Sequence, residues 1–128
     1  MCGSRANNRL WDFRYGFEME RRVAEALRQD GWSVRMSPGS RGSFDIEAKK
    51  GRRIWLIQVK ATRRPVTFVE KLSTPERDAL LESADVLHAT PVLALVAKGW
   101  IFYLSARNWR HLHPQDALTT KRGSLASH

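Results

Sequence analysis

The sequence has 128 residues, of which 42% are hydrophobic and 27% are charged, a composition typical of one globular domain. Lysine and arginine number 22 against 13 acids, and the net charge of +9 favours a polyanionic partner such as a nucleic acid. The longest apolar run, residues 91–97, is far shorter than the roughly 18 residues of a membrane span, and the N-terminus lacks the apolar stretch of a secretory signal. Because Cys2 is the single cysteine, no intramolecular disulfide can form, and we expect a cytoplasmic protein.

The periodicity of apolar residues and the positions of glycine and proline predict two helices and five strands. In chain order these are a helix over 15–29, strands over 32–36, 44–48 and 53–60, a helix that begins with Ser73-Thr74-Pro75-Glu76, and strands over 91–97 and 100–104. The uninterrupted apolar run at 91–97 is typical of a strand that is covered on both faces. The predicted fold is therefore α/β, with a mixed sheet of about five strands flanked by helices in a single domain.

The chain divides into a short N-terminal segment, a folded domain and a tail. We place the domain at 14–107, after a segment at 1–13 and before a polar tail at 108–128 whose composition leaves it free to be disordered. Within the domain, residues 37–43 form a loop rich in glycine and serine, and residues 63–72 form a basic loop.

Four polar residues are expected to meet at the second and third predicted strands. Gln58 and Lys60 are two apart, so they share one face of their strand, while the apolar residues that alternate with them share the other. A turn at Gly51 brings the two strands side by side and places Asp45 near this pair. Glu20 flanks the apolar stripe of the first helix, on the side of the sheet.

An acid, an amide oxygen and an ammonium on neighbouring strands can form a site that cleaves phosphodiesters. The oxygen donors suit Mg²⁺, which polarises a phosphate and lowers the pKa of a bound water. Lys60 can orient that water or stabilise the developing negative charge. By spacing alone, however, the same residues also fit ordinary solvated positions at the ends of strands.

Several short sequence motifs help to decide between a catalytic site and ordinary solvated positions. They are Arg14-Tyr15-Gly16-x-x-x-Glu20-Arg21, Gly31-Trp32, Ser37-x-Gly39-Ser40, Asp45-Ile46, Gln58-Val59-Lys60, Pro91-Val92-Leu93-Ala94-Leu95 and Gly99-Trp100-x-Phe102. In this order and at these spacings, the sequence from about residue 14 to 104 resembles the archaeal-type Holliday junction resolvases, which belong to the PD-(D/E)xK nuclease superfamily.

The resemblance implies a restriction-endonuclease-like fold and a homodimer that cuts four-way (Holliday) DNA junctions, with Mg²⁺ as cofactor and Mn²⁺ as a substitute. It implies no membrane and no small-molecule substrate, and a host cell that is archaeal, bacterial or phage-infected. The implied catalytic positions are Glu20, Asp45, Gln58, Lys60 and the loop serines Ser37 or Ser40. The implied metal-binding positions are Asp45, Gln58, Val59 and Glu20. For the dimer, we expect the apolar face near Trp100 and Phe102 to contribute, although these residues would also serve an ordinary core.

Basic residues around the proposed site are expected to contact DNA phosphates. The resemblance places Arg21 at a DNA-contacting position. The family's first-strand arginine falls at Met36, so Arg35 is a displaced substitute for it. The other candidates are Arg41, Arg63, Arg64 and the aromatic Phe68 in the basic loop. The alternative is that these residues form a scattered, solvated surface.

Gln58 departs from the family, which usually has glutamate there. Three interpretations remain open: its carbonyl oxygen is a native metal ligand, a deliberate Glu→Gln change has inactivated the nuclease, or activity was lost naturally. Glu47 shares a strand face with Asp45 and could lend the missing carboxylate, or could simply face solvent or a basic neighbour.

Two rival functions also remain. One is a restriction- or repair-type nuclease that acts on duplex DNA, and the other is a junction-binding protein with a disabled site. Cleavage of linear duplex would favour the first, and tight junction binding without cleavage in any divalent metal would favour the second.

Overall fold

The computed structural model describes residues 2–37, 43–62, 72–97 and 99–115, with side chains from Gly16 onward in the first helix and to Ala61 in the third strand. The elements are α1 (Cys2–Gln29), β1 (Ser33–Met36), β2 (Ile46–Lys50), β3 (Arg53–Thr62), α2 (Thr74–Leu87), β4 (Thr90–Ala97), β5 (Trp100–Ser105) and β6 (His111–Leu112). The predicted α/β class is confirmed. Within the described residues the sheet has six strands rather than about five.

The strands lie in chain order across the sheet, from β1 to β6. The pair β3–β4 is parallel and the other neighbours are antiparallel. A parallel pair needs a crossover connection, and here helix α2 lies between the two strands in the chain. The antiparallel pair β2–β3 turns at Gly51, whose φ of 61° lies in the left-handed region that favours glycine. This hairpin holds Asp45 beside β3, as the sequence predicted.

The two helices cover opposite faces of the sheet. On the face of α1, the buried cluster includes Met19, Val23, Ala24 and Leu27 of the helix and Trp55, Ile57 and Val59 of β3. On the face of α2, Leu80 and Ala84 pack with Leu56. Because side chains alternate along a strand, Gln58 and Lys60 lie on the α2 face together with Leu56. Strand β4 is buried between both layers, as its apolar run predicted.

Regular secondary structure lies on both sides of each predicted domain boundary. Helix α1 begins at Cys2 and runs through the expected boundary between residues 13 and 14. At the other end, β6 pairs with β5, and the indole Nε1 of Trp32 donates a 3.4 Å hydrogen bond to the carbonyl of Pro114. Leu112 also packs against the core cluster, so residues 108–115 belong to the fold although their sequence is largely polar.

Helix α2 begins as its capping sequence predicted. The Ser73 side chain accepts a hydrogen bond from the Glu76 N–H, and the Glu76 carboxylate accepts one from the Ser73 N–H, which together form a capping box. The buried residues of this helix are Leu80 and Ala84, whereas Leu87 at its end is exposed. In the part of the chain that the structure describes, no helix is long and apolar enough to cross a membrane.

Candidate active site

Asp45 is anchored to β3 by two hydrogen bonds. Its backbone N–H donates to the carbonyl of Ile57 at 2.8 Å, and its Oδ2 accepts from the N–H of Val59 at 2.8 Å. The carboxylate thus takes the position that a backbone carbonyl would hold if the ladder continued beyond Ile46. This geometry fixes the acid beside the segment that carries Gln58 and Lys60.

Lys60 is held by an acid that the sequence pattern assigns only to the helix start. Its Nζ lies 2.7 Å from Oε2 of Glu76, and both side chains are partly buried. Oε1 of Glu76 accepts from the N–H and the hydroxyl of Ser73 at 3.0 and 3.1 Å. Glu76 therefore joins the start of α2 to the predicted catalytic lysine.

The position of Glu76 follows from topology. In a β3–α2–β4 crossover, the chain leaves β3 and enters α2, so the first turn of the helix can lie near the end of β3 that carries Lys60. An acid in that turn is thus a candidate partner for Lys60. The capping-box pattern alone already explains an acid at position 76. The sequence therefore carries no separate signal for the contact between Glu76 and Lys60.

Glu20 reaches the site from α1, on the other side of the sheet. Burial, and secondarily the charge of Asp45, raises the pKa of Glu20 from 4.5 to about 7. Burial also raises the pKa of Asp45, against the hydrogen bond from Val59 and the charge of Lys60, which lower it. The two acids are therefore close enough to interact and partly withdrawn from water.

The raised pKa of Glu20 has a consequence for stability. Between its ordinary pKa of 4.5 and about 7, the folded protein binds a proton at Glu20 that the unfolded chain has released. The free energy of unfolding must then fall as pH rises through this window. We expect the metal-free protein to melt at a lower temperature near pH 8 than near pH 5, and Glu20→Gln to remove much of that difference.

Thermal unfolding in the presence of a chelator measures this effect. Glu25→Gln is a matched control, because Glu25 lies on the same helix but is exposed beside Arg28. An equal pH dependence in wild type and Glu20→Gln would show that the pKa of Glu20 is not raised in the folded protein.

The predicted metal ligands form a set of oxygen donors. Asp45 and Glu20 offer carboxylates and Gln58, half-buried on the α2 face, offers an amide oxygen, while Val59 could contribute only through its backbone carbonyl. Two partly buried acids whose pKa values are raised fit a cation, because a cation would stabilise their ionised forms. Among the described residues, no three His, Cys, Asp or Glu side chains already converge closely enough to count as a metal-binding group. The donor chemistry therefore fits a hard divalent cation, and the ligand set stays a prediction.

Glu47 is paired with basic neighbours on β1 and β2. Its carboxylate lies 3.5 Å from Arg35 and 3.8 Å from Lys49, and it is largely buried between them. These contacts favour the interpretation that Glu47 is an ordinary strand acid paired with basic neighbours.

The predicted DNA-contacting residues fall partly within the described chain. Arg21 is exposed on α1 and lies 3.7 Å from Glu18, while the Arg35 side chain is 81% exposed. The N–H of Ser37 donates to the carbonyl of Asp45 at 2.8 Å, so the glycine- and serine-rich loop starts next to the site. Five predicted residues lie outside the described part: Ser40, Arg41, Arg63, Arg64 and Phe68.

Both the fold and the sequence of this chain are similar to those of known proteins. The structure is similar to that of Hjc from Archaeoglobus fulgidus, a Holliday junction resolvase from an archaeal hyperthermophile. The TM-score is 0.63 with 24% sequence identity, over 73% of this chain and 74% of that chain. This similarity shows a shared fold and confirms the restriction-endonuclease-like class. No curated protein matches the sequence. The profile of the archaeal Holliday junction resolvase (Hjc) family matches residues 12–126, and the chain therefore belongs to that family.

Proposed function

We propose that this protein is an endonuclease that resolves four-way DNA junctions by Mg²⁺-dependent paired hydrolysis of phosphodiesters. Membership of the resolvase family supports the nuclease activity and the junction substrate. The observation that carries the site is the anchoring of Asp45 on the Val59 N–H, between Gln58 and Lys60, with Glu20 in electrostatic reach.

Each of these residues has a role that its surroundings support. Asp45, Glu20 and Gln58 would hold the cation through oxygen, and the hydrogen bond from the Val59 N–H already fixes the Asp45 carboxylate. The cation supplies Lewis-acid polarisation of the scissile phosphate. Lys60 carries a positive charge into the same site, where it orients the attacking water or stabilises charge on the phosphate oxygens.

DNA recognition should depend on phosphates and junction shape rather than on base edges. The net charge of +9 and the exposed Arg21 and Arg35 support a phosphate-contacting surface around the site. Arg41, Arg63, Arg64 and Phe68 remain proposed DNA contacts, and the loop serines Ser37 and Ser40 remain proposed catalytic residues.

A homodimer fits both the substrate and the surface of the protein. A four-way junction has approximate two-fold symmetry, so a dimer can present two sites to two opposed strands. Trp100 is 69% exposed and Phe102 is 40% exposed on the same side of β5, and the ring of Phe102 packs edge-on against His111. Two neighbouring aromatic side chains left in water are typical of an association surface.

The deciding experiment compares substrates on one preparation. We expect Mg²⁺-dependent nicking of a four-way junction at protein concentrations that leave its constituent linear duplexes intact, with sedimentation showing a dimer at micromolar concentration. Comparable cleavage of linear duplex would favour the restriction- or repair-type nuclease. Tight junction binding without cleavage in Mg²⁺ or Mn²⁺ would favour the binding protein with a disabled site.

A further inference from the structure

With glutamine at position 58, the proposed site is one negative charge short of the pattern that has glutamate there. Gln58 can still offer an oxygen to a metal, but it adds no charge to hold a dication. Glu47 is a weaker candidate for that charge, because both of its ionic partners, Arg35 and Lys49, lie outside the proposed site. The chain therefore either tolerates the deficit or supplies the carboxylate from another element.

Glu76 is the acid that the fold brings to this place. Its Oε2 contacts the Lys60 ammonium at 2.7 Å, and its negative charge interacts electrostatically with Asp45. It does not move freely, because Ser73 holds Oε1 through two hydrogen bonds. A fixed carboxylate thus lies beside the predicted catalytic lysine and within electrostatic reach of the predicted metal-binding acid.

Glu76 also stays ionised in this position. Burial raises its pKa, but the hydrogen bonds from Lys60 and Ser73 outweigh that effect, and the pKa ends below its ordinary value. At neutral pH, Glu76 therefore carries its full charge without the help of a metal.

Helix capping accounts for the contacts of only one of the two carboxylate oxygens of Glu76. The capping box uses Oε1 and the Ser73 groups, and it would be complete with glutamine at the same position. The second oxygen, Oε2, accepts a hydrogen bond from the Lys60 ammonium. That ion pair requires the negative charge of glutamate, which glutamine lacks. This separation of the two oxygens makes the two roles experimentally separable.

We propose that Glu76 compensates through its charge for the carboxylate missing at position 58, without itself joining the metal ligands. It is a positioning residue that holds Lys60 and contributes the third negative charge of the centre. This proposal rests on the proposed metal-dependent nuclease site.

The test measures Mn²⁺ binding by calorimetry without DNA, next to junction cleavage and thermal unfolding, on the full chain. In Glu76→Gln we expect Mn²⁺ affinity to fall by about tenfold, because a dication loses one nearby charge in a partly solvated site. Its melting temperature should stay close to wild type, since glutamine preserves the capping box. Adding Gln58→Glu to this variant should restore Mn²⁺ affinity and cleavage.

Ser73→Ala is the matched control for the helix cap. It should lower the melting temperature and leave Mn²⁺ affinity unchanged, because the carboxylate and Lys60 remain. If both Glu76→Gln and Ser73→Ala lower only the melting temperature, and Gln58→Glu restores nothing, Glu76 is a capping residue and the inference is wrong.

Asp45→Asn separates this inference from the proposed function. Loss of Mn²⁺ binding in Asp45→Asn together with unchanged binding in Glu76→Gln overturns the role of Glu76 alone. Unchanged binding in both variants overturns the metal site itself. Loss in both, with recovery when Gln58→Glu is added to Glu76→Gln, supports the proposal.

Discussion

Replacing Asp45 by asparagine is expected to lower Mg²⁺-dependent junction cleavage by about a thousandfold or more, the scale seen when a catalytic metal loses an essential ligand. The fold should survive, because an asparagine carbonyl oxygen can accept the same hydrogen bond from the Val59 N–H. Junction affinity should stay within about threefold, since docking depends on phosphate contacts away from the metal. Any change should favour tighter binding, because the variant removes a negative charge next to DNA.

Lys60→Ala should produce the same separation between binding and cleavage. Removal of one group that stabilises charge in the transition state costs about a hundredfold to a thousandfold in rate. Glu76 then keeps its hydrogen bonds to Ser73 and, being partly exposed, can be solvated by water in place of Lys60.

Gel-shift and nicking assays on the same preparations measure both quantities. Asp78→Asn and Lys49→Ala are matched controls, because both side chains are exposed and neither contacts Asp45 or Lys60 within the described residues. Near-wild-type nicking by Asp45→Asn or Lys60→Ala would remove the site that we assign.

The alternation of residues along β3 is enough to predict which side chains share a face. Burial of Trp55, Ile57 and Val59 under α1 leaves Gln58 and Lys60 on the α2 face, as a period of two requires. The hairpin at Gly51 fixes the neighbourhood of Asp45. Local sequence pattern therefore predicts that Asp45, Gln58 and Lys60 lie together, while the resemblance to the resolvases is what assigns them a catalytic role.

What the sequence could not predict depends on contacts between distant parts of the chain. The hydrogen bond from the Val59 N–H to Asp45 forms because the pairing of β2 with β3 stops at Ile46. The residue at which a strand ends is poorly specified by local propensity. The pairing of Lys60 with Glu76 depends on where a crossover helix begins relative to a strand. The last strand, β6, has only two residues, and pairing with β5 rather than its own pattern makes it a strand.

Gln58→Glu addresses the departure from the family pattern directly. If Glu76 already supplies the missing charge, the protein as it stands should cleave junctions measurably in Mg²⁺. The added carboxylate should then raise the rate by about tenfold or less, equivalent to about 1.4 kcal/mol of transition-state stabilisation. Steady-state nicking rates across a range of Mg²⁺ concentrations separate tighter metal binding from faster chemistry.

The size of this gain discriminates among the interpretations of Gln58. A gain of several orders of magnitude from a near-zero rate would mean that glutamine has inactivated the enzyme and that Glu76 does not compensate. Glu47→Gln should leave cleavage unchanged in either background, because Glu47 is engaged by Arg35 and Lys49. If two acids share one role, Glu76→Gln should cripple the protein with Gln58 and scarcely affect the Gln58→Glu variant, a non-additivity expected only of coupled residues. A Gln58→Glu protein that remains inactive would instead show that the metal site is misassigned, and junction binding without cleavage would become the better description of the protein.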